Sequence, residues 1–179
     1  MATTKKKTTA PRAPRTLFPT RNDIPAATRS KVIEKLNRRL AECIELQTQC
    51  KQAHWNVKGR DFIALHKLFD KVNESVEEYI DLIAERIVQL GGVAEGTVRV
   101  VVARSKLVDY PLTLASGDEH AAALSDSLAD FGKSAREGID EMEELEDAVS
   151  QDMLTEITRG TDQWLWFVES HLVDRRAGG

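Results

Sequence analysis

The sequence predicts an all-α protein built as a bundle of four long helices. Ten glycines and five prolines are few for 179 residues, while hydrophobic residues make up 41% and charged residues 30% of the chain. This composition is typical of a soluble protein rich in amphipathic helices. Apolar residues also recur at intervals of three and four over long stretches. The length suits one domain with a real core, and we expect a tail beside it.

The first two helices follow from apolar periodicity and from the residues that end it. The first is predicted over residues 28–56, a stretch without Gly or Pro until Gly59. The second is predicted to begin near Asp61 as N-cap and to end at Gly91 and Gly92, which can supply a residue with positive φ. Its core-facing stripe is predicted to contain Phe62, Leu65, Phe69, Val72, Val76, Tyr79, Ile83, Ile87 and Leu90.

The last two helices are marked by a cap and by a second apolar stripe. Ser116 followed by Glu119 is a capping-box signature, and the third helix is predicted to run from there to about Glu144. The fourth is predicted over residues 148–173. Its buried side is predicted to include Met153, Ile157, Trp164, Phe167 and Val168.

About 25 residues connect the second and third helices, which is too long for a hairpin between neighbouring helices. The segment "TVRVVVARS" has the β-branched content of a strand, but a lone strand has no partner, so a short helix is predicted. One long crossover with short links elsewhere is the connectivity of ferritin-like bundles. The expected domain is therefore a ferritin-like four-helix bundle over residues 25–176, with tails at 1–24 and 177–179.

The N-terminal segment differs in charge from the rest of the chain. Residues 1–22 contain no acid and six basic residues, which leaves 19 basic against 29 acidic residues and a formal charge of −10 for the remainder. A segment with so few apolar side chains is predicted to be disordered. It is interpreted as an anion-binding arm or as an organellar transit peptide. Its basic residues are Lys5, Lys6, Lys7, Arg12, Arg15 and Arg21.

The cellular location is predicted from the missing membrane and secretion signals and from the two cysteines. No run of about 18 apolar residues and no apolar region after the N-terminal lysines is visible, which argues against a membrane span and a secretory signal. Cys43 and Cys50 lie seven positions apart, or about 10.5 Å along one helix, too far for a disulfide. Two reduced, buried thiols suit a reducing compartment, so we expect an intracellular protein.

One face of the second helix carries the candidate metal ligands. His66, Asp70, Asp81 and Glu85 fall within an arc of about 100°, apart from the apolar stripe. His66 with Asp70, and Asp81 with Glu85, are spaced so that the two side chains of each pair project together and can hold one ion. Imidazoles with carboxylates and no thiolate favour iron, manganese or zinc. The alternative is a solvated helix surface.

The two pairs cannot meet in one chain, because fifteen residues span about 22 Å of helix. They could form one site if the helix packs antiparallel against its copy in a second chain, with a two-fold axis near Ser75 and Val76. Two equivalent sites about 22 Å apart would result. His54, at the end of the first helix, could add a third ligand to the His66/Asp70 pair.

Three segments closely resemble the Dps family, the DNA-binding proteins from starved cells or mini-ferritins: "KQAHWNVKGRDFIALHKLFD", "YIDLIAERIVQLGGVAEGT" and "WLWFVES". The resemblance covers about residues 28–173 and implies a hollow homo-dodecamer with a two-iron ferroxidase centre at each dimer interface. By position it implies that His54, His66 and Asp70 of one subunit face Asp81 and Glu85 of its partner.

The resemblance also implies roles and an activity. Trp55 matches an aromatic residue beside the ferroxidase ligands, and Glu85 is assigned as a bridging ligand. The family binds Fe(II), oxidises it with hydrogen peroxide more readily than with oxygen, and stores ferric oxide in the cavity. A pair of Fe(II) ions supplies both electrons that peroxide accepts, which protects DNA from hydroxyl radicals. Zinc could replace iron at such a centre.

Two further assignments depend on the resemblance. Lys67 stands where many relatives carry a glutamate that seeds mineral, so Glu74, Glu77 or Glu78 would have to serve instead. Asp152 matches an acidic position of the family's three-fold iron-entry pore. An ordinary first-turn acid, favoured by the helix dipole, is an equal interpretation of Asp152.

Lys-rich N-terminal arms bind DNA in several relatives, so the resemblance favours the anion-binding interpretation of the tail. Binding to double-stranded DNA would be non-specific, and a cytoplasmic, nucleoid-associated protein is expected. Two alternatives stay open. One is a structural nucleoid protein whose metal site is inactive or holds zinc, and the other is a shell whose tail steadies the assembly or is removed.

Overall fold

The computed structural model describes residues 17–173. Five α-helices and one 3₁₀ turn make up this part of the chain, and it contains no strand. The helices are α1 (Ala26–Asn56), α2 (Phe62–Gln89), α3 (Val98–Arg104), α4 (Gly117–Glu144) and α5 (Ala148–Glu169), and the 3₁₀ turn is Ser170–Leu172. The predicted all-α class and the short crossover helix are confirmed.

The four long helices form two antiparallel hairpins, α1 with α2 and α4 with α5. Helix α1 also packs on α4, and α2 on α5, so the four helices enclose one core, while α3 lies on the outside of α1. Helix α2 buries its stripe as predicted, apart from Phe62, which is 38% exposed. Phe62 is the first residue of the helix, where the neighbouring helices no longer cover it.

Both predicted N-cap residues lie at the N-caps of their helices, but only the cap of α4 makes side-chain hydrogen bonds. The Ser116 hydroxyl accepts a hydrogen bond from the backbone N–H of Glu119, and the Glu119 carboxylate accepts one from the backbone N–H of Ser116. Asp61 stands at the N-cap of α2 without a side-chain bond, because its backbone is not extended (φ −96°, ψ 18°). Gly91 has φ +83° and ends α2 as predicted.

Buried free thiols were also predicted correctly, since Cys43 and Cys50 are fully buried and unpaired. The buried side of α5 was predicted less well. Ile157 and Val168 are buried, whereas Met153, Trp164 and Phe167 are only partly covered and the core also includes Leu154.

A buried ion pair fixes the C-terminal half of α2 against the start of α5. The Arg86 guanidinium donates to the Asp147 carboxylate at 2.8 Å and to the Ser150 hydroxyl at 2.9 Å. Asp147 also caps α5 by accepting from the backbone N–H of Ser150 at 3.1 Å. The face of α2 that carries Asp81 and Glu85 is therefore held at a fixed rotation.

The residues before α1 lie along the end of α2. Phe18 donates its backbone N–H to the carbonyl of Gly91 at 2.8 Å, and Leu17 and Ile24 pack against the core. The prediction placed residues 17–24 in a disordered tail, whereas here they contact the bundle. Arg21 is exposed. The other five basic residues of the predicted DNA-binding arm lie outside the described residues: Lys5, Lys6, Lys7, Arg12 and Arg15.

Candidate metal centre

The α1–α2 hairpin brings His54 and His66 into direct contact. Their rings stack with centroids 3.7 Å apart and planes 22° from parallel. The same hairpin register places the Cys43 thiol 3.7 Å from the carbonyl oxygen of Val76, about three turns further along. Because the two helices pack antiparallel and their connection is short, His54 and His66 are in ring contact although they are twelve residues apart in the sequence.

Each histidine is oriented by the backbone of the other. His54 Nδ1 lies 2.9 Å from the carbonyl oxygen of His66, and His66 Nδ1 lies 2.9 Å from that of His54. A carbonyl oxygen can only accept, so both Nδ1 atoms carry the proton in these bonds. In the neutral rings both Nε2 atoms then keep a lone pair, which is the form of imidazole that binds a metal.

Asp70 adds a carboxylate beside the two rings. One of its oxygens lies 3.7 Å from His54 Nδ1 and 2.7 Å from the Lys51 ammonium. The hydrogen bond from Lys51 lowers the pKa of Asp70, which keeps the carboxylate charged. Within residues 17–173, no three His, Cys, Asp or Glu side chains are arranged to hold a metal ion. His54, His66 and Asp70 are thus adjacent without forming a complete site in one chain.

Sequence reasoning missed Lys51, although the hairpin register could have revealed it. If His54 faces His66 across the turn, then the residue one turn before His54 faces the region of Asp70. Lysine is not a metal-binding residue type, so its position in the register carries no signal of a metal site. Its ammonium is the cation nearest to Asp70 among the described residues.

The second predicted pair lies at the other end of α2. Asp81 and Glu85 are exposed, and neither makes a hydrogen bond or ion pair within the described part of the chain. Glu85 borders a shallow, mainly apolar depression of about 400 Å³ that is also lined by Ala84, Val88 and Ala94. That Asp81 and Glu85 form the second half of a metal site shared between two subunits stays a prediction.

Several large apolar side chains are exposed near the histidines. Trp55 is 68% and Ile63 58% exposed, and the Phe62 ring centroid lies 5.1 Å from that of His66. Val88, at the opposite end of the same face of α2, is 59% exposed. Exposed apolar residues around an ion site in a single chain indicate a surface that another protein covers.

Comparison with known proteins decides the family. A profile of the ferritin-like domain matches residues 33–177. A DNA protection during starvation protein from Agrobacterium fabrum is 39% identical over 156 residues, which cover 87% of this chain and 96% of the relative. The chain belongs to the Dps family. This confirms the resemblance found in the sequence.

Solved Dps structures share the fold as well as the sequence. DpsA14 from Streptomyces coelicolor superposes with a TM-score of 0.82 at 34% identity, covering 87% of this chain and 94% of that one. The tetragonal form of Mycobacterium smegmatis Dps gives a TM-score of 0.81 at 31% identity, covering 88% and 93%. The ferritin-like four-helix bundle is therefore the architecture of this Dps chain.

The remaining acids assigned by resemblance to the Dps family are all on the surface. Asp152, Glu77 and Glu78 are exposed, and so is Lys67. The Glu74 carboxylate forms an ion pair with the Lys71 ammonium at 2.5 Å. Their proposed roles in iron entry and mineral nucleation stay predictions, because they depend on surfaces formed by several subunits.

None of the helices described between residues 17 and 173 is long and apolar enough to cross a membrane.

Proposed function

We propose that this Dps chain is a ferroxidase that oxidises Fe(II) with hydrogen peroxide, or oxygen, and stores the ferric oxide in a hollow dodecamer. The observation that carries the proposal is the pair of reciprocal hydrogen bonds between His54 and His66. These bonds use both Nδ1 atoms, so each Nε2 atom keeps a lone pair that can bind a metal ion. Fe(II) is the substrate, and imidazoles with carboxylates suit it.

The centre takes its ligands from two subunits. His54, His66 and Asp70 of one subunit bind Fe(II) together with Asp81 and Glu85 of its partner, and Glu85 bridges the two iron ions. Support comes from the separation of the two halves, about 22 Å for fifteen residues of helix, and from the absence of partners for both acids within the described residues. Antiparallel packing of α2 on its copy gives two such centres in each dimer.

The surroundings of the centre support an interior site. The exposed apolar side chains of Trp55, Ile63 and Val88 lie at the ends of the face that the partner would cover. Burial of this surface in a dimer limits the access of water, so that peroxide reaches the iron with fewer side reactions. Lys51 holds the Asp70 carboxylate in its charged form until a metal ion replaces the ammonium.

Iron oxidation is tested by anaerobic titration with Fe(II) followed by hydrogen peroxide, with ferric absorbance as the readout. The His54→Ala/Asp81→Ala variant removes one ligand from each half and is expected to lose rapid oxidation. His171→Ala/Asp126→Ala, which changes an exposed histidine and an exposed aspartate elsewhere, is the matched control. Equal rates in the wild type and in His54→Ala/Asp81→Ala would contradict the proposal and leave a structural nucleoid protein, with zinc or no metal at the site.

DNA protection is proposed to include direct, non-specific binding of double-stranded DNA by the basic tail, in the cytoplasmic nucleoid. Twelve tails with Lys5, Lys6, Lys7, Arg12, Arg15 and Arg21 would make many weak phosphate contacts, and their avidity offsets the negative charge of the bundle. Deleting residues 2–16 leaves the contact between Phe18 and Gly91 in place. The deletion is expected to abolish retention in a gel shift at low salt, and unchanged retention would contradict the role of the tail.

A further inference from the structure

We propose that Tyr110 and His120 form a proton-coupled electron donor that quenches hydroxyl radicals produced when peroxide meets a single Fe(II) ion. The inference rests on the proposed ferroxidase function, which supplies both Fe(II) and peroxide. It assigns a protective role to two residues that are not among the metal ligands. It also explains why a tyrosine and a histidine are paired beneath the crossover.

The two side chains form a short hydrogen bond in a covered position. The Tyr110 hydroxyl lies 2.8 Å from His120 Nδ1, and the two rings are stacked with centroids 6.2 Å apart and planes 18° from parallel. His120, on α4, is only 2% exposed, and Tyr110, in the crossover, is partly buried against the core. A buried phenol bonded to an imidazole nitrogen has a proton acceptor already in place.

The environment indicates which atom carries the proton. Burial lowers the pKa of His120, against smaller opposing effects of Glu119 and of the backbone at Asn56 and Leu114. The ring is therefore neutral. Among the described residues His120 Nε2 has no hydrogen-bond partner and the Tyr110 hydroxyl has none besides Nδ1, so the phenol donates to Nδ1 and the ring proton lies on Nε2. Burial also raises the pKa of Tyr110, so the phenol holds its proton until it is oxidised.

The pair lies beside the segment that carries His54. Gln49 donates from Nε2 to the carbonyl of Val108 at 2.9 Å, which fixes the crossover along the C-terminal half of α1. Cys50, fully buried, is close enough to Tyr110 to influence its ionisation, and His54 follows one turn later. The crossover thus places the pair against the C-terminal part of α1, the helix that also carries His54.

The electron balance closes with a second Fe(II). One Fe(II) and hydrogen peroxide give Fe(III), hydroxide and a hydroxyl radical. Tyr110 passes one electron to the radical, which becomes hydroxide, while the phenolic proton moves to His120 Nδ1. The next Fe(II) returns an electron to the tyrosyl radical, and His120 returns the proton. Two Fe(II) and one peroxide have then given two Fe(III) and two hydroxides, and no radical is released.

The chain offers a matched control, since it contains two tyrosines. The hydroxyl of Tyr79 packs against Gly160, and the indole N–H of the nearby Trp164 can only donate. Tyr79 therefore has no such proton acceptor in Trp164. Tyr110→Phe and Tyr79→Phe each remove one hydroxyl, and His120→Gln replaces the imidazole by an amide, which can accept a hydrogen bond but is too weak a base to take the proton of Tyr110.

The experiment is freeze-quench electron paramagnetic resonance of full-length protein given less than one Fe(II) per subunit and then hydrogen peroxide. Wild type and Tyr79→Phe are expected to show a tyrosyl radical, Tyr110→Phe to lose it, and His120→Gln to lose most of it. Mass spectrometry is expected to find more oxidised Met and Trp in Tyr110→Phe than in Tyr79→Phe. Absence of a tyrosyl radical in wild type that oxidises iron, or its persistence in Tyr110→Phe, overturns the proposal.

A second oxidant separates this inference from the ferroxidase function. Azide radicals generated by pulse radiolysis need no iron, so they test the pair even if the chain does not oxidise Fe(II). The tyrosyl radical is again expected in Tyr79→Phe and not in Tyr110→Phe, and it should form more slowly in His120→Gln. Equal yields in the two tyrosine variants, or an unchanged rate in His120→Gln, overturn the proposal.

Discussion

His54 and His66 donate hydrogen bonds to each other's backbone carbonyl groups, each at 2.9 Å, while their rings stack at 3.7 Å. The arrangement fixes the tautomer and the direction of both rings before any metal arrives. It is a consequence of the hairpin register, since each ring reaches the backbone of the opposite helix.

Because the two rings stack on each other and would bind the same metal ion, we expect the losses from His54→Ala and His66→Ala to be strongly non-additive. Either substitution alone should lower Zn(II) affinity by about 10- to 100-fold or more. The double variant should bind Zn(II) only slightly less tightly than the single variant with the lower affinity. Isothermal titration calorimetry measures this, with His171→Ala as a control that keeps wild-type affinity. Additive losses would mean that the rings act independently.

Lys51 competes with metal for Asp70, so Lys51→Met should increase affinity for Zn(II) and Fe(II). The substitution also removes the main cause of the lowered pKa of Asp70, which should rise towards its usual range. Carbon-detected NMR titration of the carboxyl group measures the pKa, and calorimetry measures the affinity. Lys133→Met, which changes an exposed lysine on α4, is the control. An unchanged pKa of Asp70 in Lys51→Met would contradict the assigned role.

The depressed pKa of Asp70 predicts a direction for stability against pH. A carboxyl whose folded pKa lies below its unfolded value stabilises the fold above the unfolded pKa and loses this contribution as pH falls through the folded pKa. Asp70→Asn should therefore reduce the acid dependence of unfolding in the metal-free protein, by a small amount because the group is 41% exposed. Urea titrations at several acidic pH values measure this, and an unchanged pH profile would argue against the ion pair in solution.

The proposed two-fold axis places Ile63 opposite Val88 of the partner, because positions equally far from Ser75 and Val76 meet in an antiparallel pair. Ile63→Glu alone should weaken the dimer by placing a charge against an apolar surface. Ile63→Glu/Val88→Lys should restore it, since the new charges would then pair across the axis. Analytical ultracentrifugation measures assembly. Failure of the double variant to recover would argue against this register.

The buried pair of Arg86 and Asp147 predicts a large effect on stability. Arg86→Met leaves the Asp147 carboxylate, 1% exposed, without its cation and should lower the free energy of unfolding by about 3 to 5 kcal/mol. Arg86→Met/Asp147→Asn should be less damaging, because no charge is then left uncompensated. Chemical denaturation measures both. A double variant less stable than Arg86→Met would contradict this account, because the uncompensated Asp147 charge would then not be the cause of the loss.

Sequence reasoning predicted the helices well because the bundle depends on local periodicity and caps. The stripe of α2 from Leu65 to Leu90 is buried as expected, and the crossover helix forms where a lone strand would have had no partner. Prediction was weaker where contacts with distant parts of the chain determine whether a residue is buried. Phe62 continues the periodicity but lies beyond the neighbouring helices, and the contact of Phe18 with Gly91 leaves no periodic signal.

The identities of the candidate ligands could be predicted more completely than their orientation and hydrogen bonds. The spacing of His66, Asp70, Asp81 and Glu85 indicated two halves, and the family resemblance matched them. The tautomers of the two histidines and the ion pair from Lys51 depend on the hairpin register at atomic detail. Helix spacing determines direction around an axis and does not determine which nitrogen faces a carbonyl.

Mixing two inactive variants tests most directly whether the centre is shared between subunits. His54→Ala/His66→Ala removes one half and Asp81→Ala/Glu85→Ala the other, so neither should oxidise Fe(II) rapidly. When the two are refolded together in equal amounts, half of the dimers combine both variants and regain one of two centres, which predicts about a quarter of the wild-type activity. Activity that stays at the level of the separate variants would contradict a centre built from two chains.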